Sequence, residues 1–224
     1  YVAIACASTS VGPLYVWRNV SGFLRRSFSD PPQKASHGGF LKTSDKMGGG
    51  KIFVFHNTVL QPPSPEIAGD TIGADVGFGW GGAISNITSR NNLLHVRKRP
   101  INERHSPPPS DYDYDLYSGW AKPPAGQEKH GCRADPVYAG LVVPKPGQKP
   151  ARGDFRLAPT SPGYDAGLVI PNFNDGFQGK APDLGYPRSV LRPDGNIVTV
   201  YYFNDGVHNE RFIEAVIWDP GDSV

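Results

Sequence analysis

Leu14-Tyr-Val-Trp-Arg-Asn-Val-Ser-Gly-Phe23, Ile52-Phe-Val-Phe-His-Asn-Thr-Val-Leu60 and Ile84-Ser-Asn-Ile-Thr-Ser-Arg-Asn-Asn-Leu-Leu-His95 decide the reading of this chain. Each is a short β-rich run, a basic residue, an Asn and a second β-rich run. Aligned on the basic residue, the three bring Asn19, Asn57 and Asn91 into one column. The steps are 38 and 34 residues, inside the range of solenoid repeats. Asn tolerates the left-handed conformation that turns a strand within one residue. Stacked tier on tier, its amide both donates to and accepts from its neighbours. The pattern predicts an Asn ladder at the inner turn of a parallel β-helix; ordinary Asn turns in a β-sandwich are the alternative.

The rest of the chain agrees with a β-rich protein. Of 224 residues, 27 are Gly and 23 Pro, with a single Met, so turns are frequent and helix formers scarce. Lys and Arg number 23 against 21 Asp and Glu, a net charge of +2. That balance argues against nucleic acid or an anionic membrane surface as partner, and no apolar run reaches a membrane span. Cys6 and Cys132 read either as one disulfide or as two small buried hydrophobes. The chain opens on Tyr1 in an apolar run, which reads as a fragment or processed form lacking N-terminal coils, with an exposed solenoid end that favours self-association.

Residues 25–50 and 61–82 read as long loops, and residues 99–150 as a Pro-rich connector. At the C-terminal end, Ile197-Val-Thr-Val-Tyr-Tyr-Phe203 and Phe212-Ile-Glu-Ala-Val-Ile-Trp218 flank Asn204-Asp-Gly206 and read as a β-hairpin. Its apolar residues Ile213, Val216, Ile217 and Trp218 are expected to dock it against the last coil near Phe155 and Leu157, a loosely held tail being the alternative.

The Asn repeats, then Ser110-Asp-Tyr-Asp-Tyr-Asp-Leu-Tyr117, Gly153-Asp-Phe-Arg-Leu157, Ser161-Pro-Gly-Tyr-Asp165-Ala-Gly167 and Ala181-Pro-Asp-Leu-Gly185 follow in order. This series, roughly residues 11–185, resembles the C-terminal half of pectin-lyase-like right-handed parallel β-helix proteins. The stretch from Asp183 to Tyr202, with Glu210-Arg-Phe-Ile-Glu-Ala-Val-Ile-Trp-Asp-Pro220, resembles the last strands of a sialidase-type β-propeller. The expected fold is all-β: a right-handed single-stranded parallel β-helix over residues 1–185, with long loops. A C-terminal β-hairpin over 186–224 completes it, either as a natural fusion or as a tail spliced onto the helix.

The resemblance implies a carbohydrate-active protein, lyase or glycoside hydrolase, acting on an acidic polysaccharide in a secreted, periplasmic or cell-surface setting. A non-catalytic glycan-binding or structural module is the competing class, and a sialidase-related fragment without a complete site is a third. Lyases of this kind neutralise a uronate carboxylate and use Lys or Arg as base, which singles out Arg97 and Lys98 in His95-Val-Arg-Lys-Arg99. Tyr186 stands where a sialidase has its tyrosine nucleophile. His37, Trp80 and Trp120 are the loop residues suited to sugar contacts.

Asp111, Asp113 and Asp115 have the D-x-D-x-D start of a calcium loop. Leu116 and Lys122 stand where an EF-hand needs Gly and Glu, so that motif is excluded. Strand alternation sets the three carboxylates on one face, as a Ca²⁺ site or as a solvated acidic edge over Tyr112, Tyr114 and Tyr117. Gly77-Phe-Gly-Trp-Gly-Gly82 matches the dinucleotide glycine spacing but lacks the strand–helix context.

Overall fold

The computed structural model describes residues 2–6, 13–22, 39–43, 50–60, 76–78, 86–96, 99–101, 109–118, 125–142, 155–177, 179–185, 190–191, 197–204 and 211–218. Sixteen strands lie within them: β1 (Val2–Cys6), β2 (Leu14–Trp17), β3 (Val20–Gly22), β4 (Gly39–Thr43), β5 (Ile52–Phe55), β6 (Thr58–Leu60), β7 (Val76–Phe78) and β8 (Ile87–Arg90). Then come β9 (Leu93–His95), β10 (Arg99–Ile101), β11 (Asp111–Asp113), β12 (Leu116–Tyr117), β13 (Cys132–Arg133), β14 (Val190–Leu191), β15 (Ile197–Asn204) and β16 (Arg211–Trp218). No helix occurs among the described residues, so none there is long and apolar enough to cross a membrane.

The chain visits three parallel sheets in turn. The first has the order β1-β4-β7-β10, the second β11-β8-β5-β2 and the third β13-β12-β9-β6-β3. Each strand pairs with its counterpart in the next tier, Val16 with Val54 and Val59 with Leu94 for example. Inward residues of neighbouring tiers therefore fall in rows. Val16, Val54, Ile87, Val59, Leu94 and Tyr112 fill a core together with Phe40 and Leu41 of β4. The stretches read as loops thus contain β4 and β7, a third strand per tier that two-strand repeats did not anticipate. Their Gly-rich flanks concealed runs too short to alternate visibly.

The expected architecture is corrected here. The chain is not a single pectin-lyase-like β-helix running to residue 185 and closed by a hairpin: the parallel pairing stops at β13. The described residues from 134 to 185 hold turns and one antiparallel bridge, Tyr138 with Leu157. Proline and glycine explain the change, since proline lacks the ladder donor and glycine weakens strand interiors. Instead this segment lies as a strap over the outer face of the third sheet. Tyr138, Leu141, Leu157 and Leu184 cover Leu60, Leu93 and Leu116 there, in a second apolar cluster.

The tail also differs from a simple hairpin. β15 and β16 pair antiparallel, Ile197 to Trp218 through Asn204 to Arg211, and β14 adds a third strand. β15 lies beside β3, at the opposite end of the third sheet from the expected docking place. An isolated hairpin is marginal in water, and a third strand is one remedy.

Candidate functional site

The ladder is the frame on which every polar site hangs. Asn19 N and Nδ2 donate to Asn57 Oδ1 at 3.0 and 2.9 Å. Asn57 N and Nδ2 donate to Asn92 Oδ1 at 2.9 and 2.8 Å. Asn92 N and Nδ2 then donate to Asp115 Oδ1 at 2.7 and 2.9 Å. The third rung is therefore Asn92, not Asn91, and the fourth is a carboxylate. Alignment on the basic residue slipped by one, because Phe55, not His56, pairs with Arg90. The left-handed turn belongs to the residue before each rung: Arg18, His56, Asn91 and Tyr114 have φ of 53°, 53°, 58° and 58°.

Those preceding residues do separate work. His56 is fully buried. Its Nδ1 lies 3.1 Å from the Gly185 carbonyl, while Asn91 Nδ2 and Asn174 Nδ2 approach Nε2 at 3.1 and 2.8 Å. Since a carbonyl only accepts and these amide groups donate, Nδ1 carries the hydrogen and Nε2 is bare. Burial, with the Arg18 charge adding to it against the Gly185 hydrogen bond, lowers the imidazole pKa to about 4. Gly185 has φ 91°, and a Cβ there would meet Leu93 Cβ at 2.5 Å, so only glycine lets the strap approach this closely.

Asp115 ends the ladder. Its second oxygen accepts from Ser89 Oγ, and its own N–H donates to Glu128 Oε2 at 3.2 Å. Both carboxyls are buried. Burial first, and for Glu128 the neighbouring Asp115 charge, raises them, with Glu128 held far above the usual carboxylate range. With Glu128 raised the further of the two, the proton the pair keeps sits on Glu128.

The three aspartates do not converge. Asp111 pairs outward with Arg90 Nη2 at 2.5 Å. Asp113 accepts from His130 N at 2.7 Å and pairs with His130 Nδ1 at 2.8 Å. Asp115 turns inward after the left-handed Tyr114. Strand alternation ends at that residue, so the expected common face, and with it the Ca²⁺ site, is corrected. Among the described residues no three His, Cys, Asp or Glu side chains gather as a metal site. Cys132 is a half-buried free thiol, not a disulfide partner.

The outer face of the second sheet carries aromatic side chains. Register sets Tyr15 beside Phe53 and Trp17 beside Phe55; the Tyr15 and Phe53 rings stack at 5.1 Å. From the strap, Phe173 meets Trp17 edge-on at 5.4 Å and Phe55 at 5.1 Å. Tyr15 and Trp17 remain 52% and 40% exposed. Two cations border the strip: Arg18 lies 4.7 Å from the centre of the Trp17 ring and Lys51 5.8 Å from that of Phe53. Neither Trp17 nor Phe173 was singled out from the sequence. The outward alternation of Tyr15 and Trp17 was the available signal, but nothing local foretold a ring arriving from the strap.

His37, Trp80, Arg97, Lys98, Trp120 and Tyr186 lie outside the described residues. A scan against family models, a search of curated proteins and a search of solved structures each found no match to this chain. No family is shown for it, and the site stands on its own geometry.

Proposed function

We propose that the chain is a carbohydrate-binding protein that takes an acidic polysaccharide along the aromatic strip of the second sheet. The observation that carries this reading is two half-open rings, Tyr15 and Trp17, set among packed aromatics with Lys51 and Arg18 at the border. Flat apolar rings suit the faces of sugar rings, and an exposed aromatic group of this kind marks a contact surface. The two cations select a polymer with carboxylates over a neutral one. Asp115 and Glu128 are closed to a polymer by burial, so they do not supply the paired carboxyls of a glycosidase.

The test is calorimetric titration with oligogalacturonates of increasing length, against a neutral glucan of equal length. Binding should favour the acidic series, weaken with salt, and fall about tenfold, or ~1.4 kcal/mol, in Trp17→Ala. Affinity unchanged in the Tyr15→Ala/Trp17→Ala double variant, or no binding by any acidic oligosaccharide, would remove the reading. Absorbance of unsaturated products in the same mixtures would add cleavage to binding.

A further inference from the structure

We propose that neutral His56 is a positioning residue for the aromatic strip: its bare Nε2 holds Asn174, and so fixes the turn that sets Phe173 against Trp17 and Phe55. The inference rests on the reading of that strip as the ligand face.

Phe173 is the one ring of the strip that no strand carries. Its place is set by its neighbours in the strap. Its carbonyl accepts from Arg18 Nη2 at 2.6 Å. Next to it, the buried Asn174 has its Oδ1 committed to Ile170 N at 2.7 Å and its Nδ2 to both Leu168 O and His56 Nε2, each at 2.8 Å. Asn91 is committed in the same way. Its Oδ1 accepts from Leu168 N at 2.7 Å and its Nδ2 donates to Leu168 O at 2.7 Å. Neither amide can turn its oxygen toward His56 without losing the strap bonds that define it.

Protonation of His56 therefore has no outlet. An N–H at Nε2 would face two amide NH₂ groups, and the imidazolium would lie buried near Arg18, the charged group that acts on it from the tier beside. The titratable groups of the described strap from 163 to 185 are Tyr164, Asp165, Asp175, Lys180 and Asp183, and Arg18 is the charged group that acts on His56. Asp183 is buried and already accepts from Asp165 N at 2.9 Å. The strands on either side contribute Arg90 beyond Phe55, engaged with Asp111. When the imidazole charges, the strap turn has to lift and carry Phe173 away from Trp17. The aromatic strip then exists at neutral pH and loses one ring in acid.

Hydrogen exchange across residues 163–185, with no glycan present, and affinity for an oligogalacturonate are measured together between pH 6 and pH 3. In the wild type, exchange of the strap, corrected for its intrinsic pH dependence, should quicken at least tenfold as pH falls, while β5 and β8 stay protected. Affinity should weaken in step. In His56→Gln, whose carbonyl oxygen accepts from both amides and does not titrate, strap protection should be flat across the range. Asn174→Ala, which leaves His56 in place, should free the strap at least tenfold at pH 6 and serves if the His56 variant does not fold. A wild-type strap indifferent to pH, one that opens only together with β5 and β8, or an identical profile in His56→Gln would overturn the inference. Strap behaviour as expected with no glycan bound at any pH would keep the role of His56 in setting Phe173 and discard the ligand reading alone.

Discussion

His56 and Glu128 are both buried, both titratable and both set beside the ladder, yet one refuses a proton and the other keeps one. The difference lies in what each faces. His56 presents a bare nitrogen to two amide donors whose orientation is fixed by Leu168 and Ile170. Glu128 faces a carboxylate, Asp115, which already accepts from Asn92 and Ser89, so the proton is the only thing that lets two acids share the space. Burial discourages charge at both sites; hydrogen-bond polarity decides which neutral form results.

The largest break in this comparison is Asp115→Ala. It strands the buried Asn92 main-chain N–H and Ser89 hydroxyl without their acceptor and takes one of several acceptors from the Asn92 amide, which keeps Val54 O. A loss of about 4 kcal/mol is expected, as for breaking other buried charged networks, read from urea unfolding at pH 7.

Next comes the pH dependence of the His56 junction. Its folded pKa is lowered to about 4 from 6.5, so the unfolded chain takes the proton first. The stability it contributes is whole above pH 6.5 and runs down as pH falls, until both forms are protonated below about 4. The full difference is about 3 kcal/mol. Unfolding curves of wild type and His56→Gln at pH 7 and pH 4 should diverge by that amount, and parallel curves would dissolve the contrast.

Glu128 runs the other way. Its folded pKa is raised, so its contribution is whole below the unfolded value near 4.5 and declines as pH rises. Glu128→Gln removes the titrating group and keeps an oxygen for the Asp115 main-chain N–H. It should therefore stabilise the protein by about 2 kcal/mol at pH 8 and by little at pH 4. A gain of equal size at both pH values would show that the proton is not what matters.

The smallest effect sharpens the comparison locally. Gly126 opens the segment that carries Glu128; it has φ 79° and nothing within 4 Å of where a Cβ would stand. Gly126→Ala should cost only the left-handed strain, about 1 kcal/mol, and leave the Asp115–Glu128 proton in place, as judged by an unchanged pH profile of stability.

How far the sequence carried depended on whether the signal was local. Asn19 and Asn57 were legible because each follows a single basic residue after a strand. Asn91-Asn92 offered two candidates, and the choice needed the strand register, which sequence spacing alone does not provide. The steps of 35 from Asn57 to Asn92 and 23 from Asn92 to Asp115 show how unequal the tiers are. Asp115 went unrecognised as a rung because a carboxylate can end an amide ladder but not continue it. His56 appeared only as the basic member of a pattern, since its partners Asn91, Asn174 and Gly185 lie 35, 118 and 129 residues away. The aspartate triplet misled for a related reason. Alternation holds along β11 and fails at Tyr114, whose positive φ no residue type there advertises. The single β-helix expectation fails because Pro and Gly replace strand pairing beyond Arg133, where the described residues hold turns and one antiparallel bridge.

The ladder has a direction. Each Asn rung gives hydrogens toward Asp115, and Asn57, Asn92 and Asp115 receive from the other side, like links that couple one way. Asp115 has no side-chain amide hydrogens to hand on, and only its main-chain N–H continues, to Glu128 Oε2, whereas the Asn19 amide oxygen accepts from no further rung among the described residues. A protein engineer wishing to lengthen the stack by duplicating a tier should thus insert it on the Asn19 side of Asn92, where amide meets amide. The same cassette placed after Asp115 would set a new Asn below a carboxylate that offers a main-chain N–H but no amide hydrogens. Length in this molecule is adjustable from one end and terminated at the other by the chemistry of a single side chain.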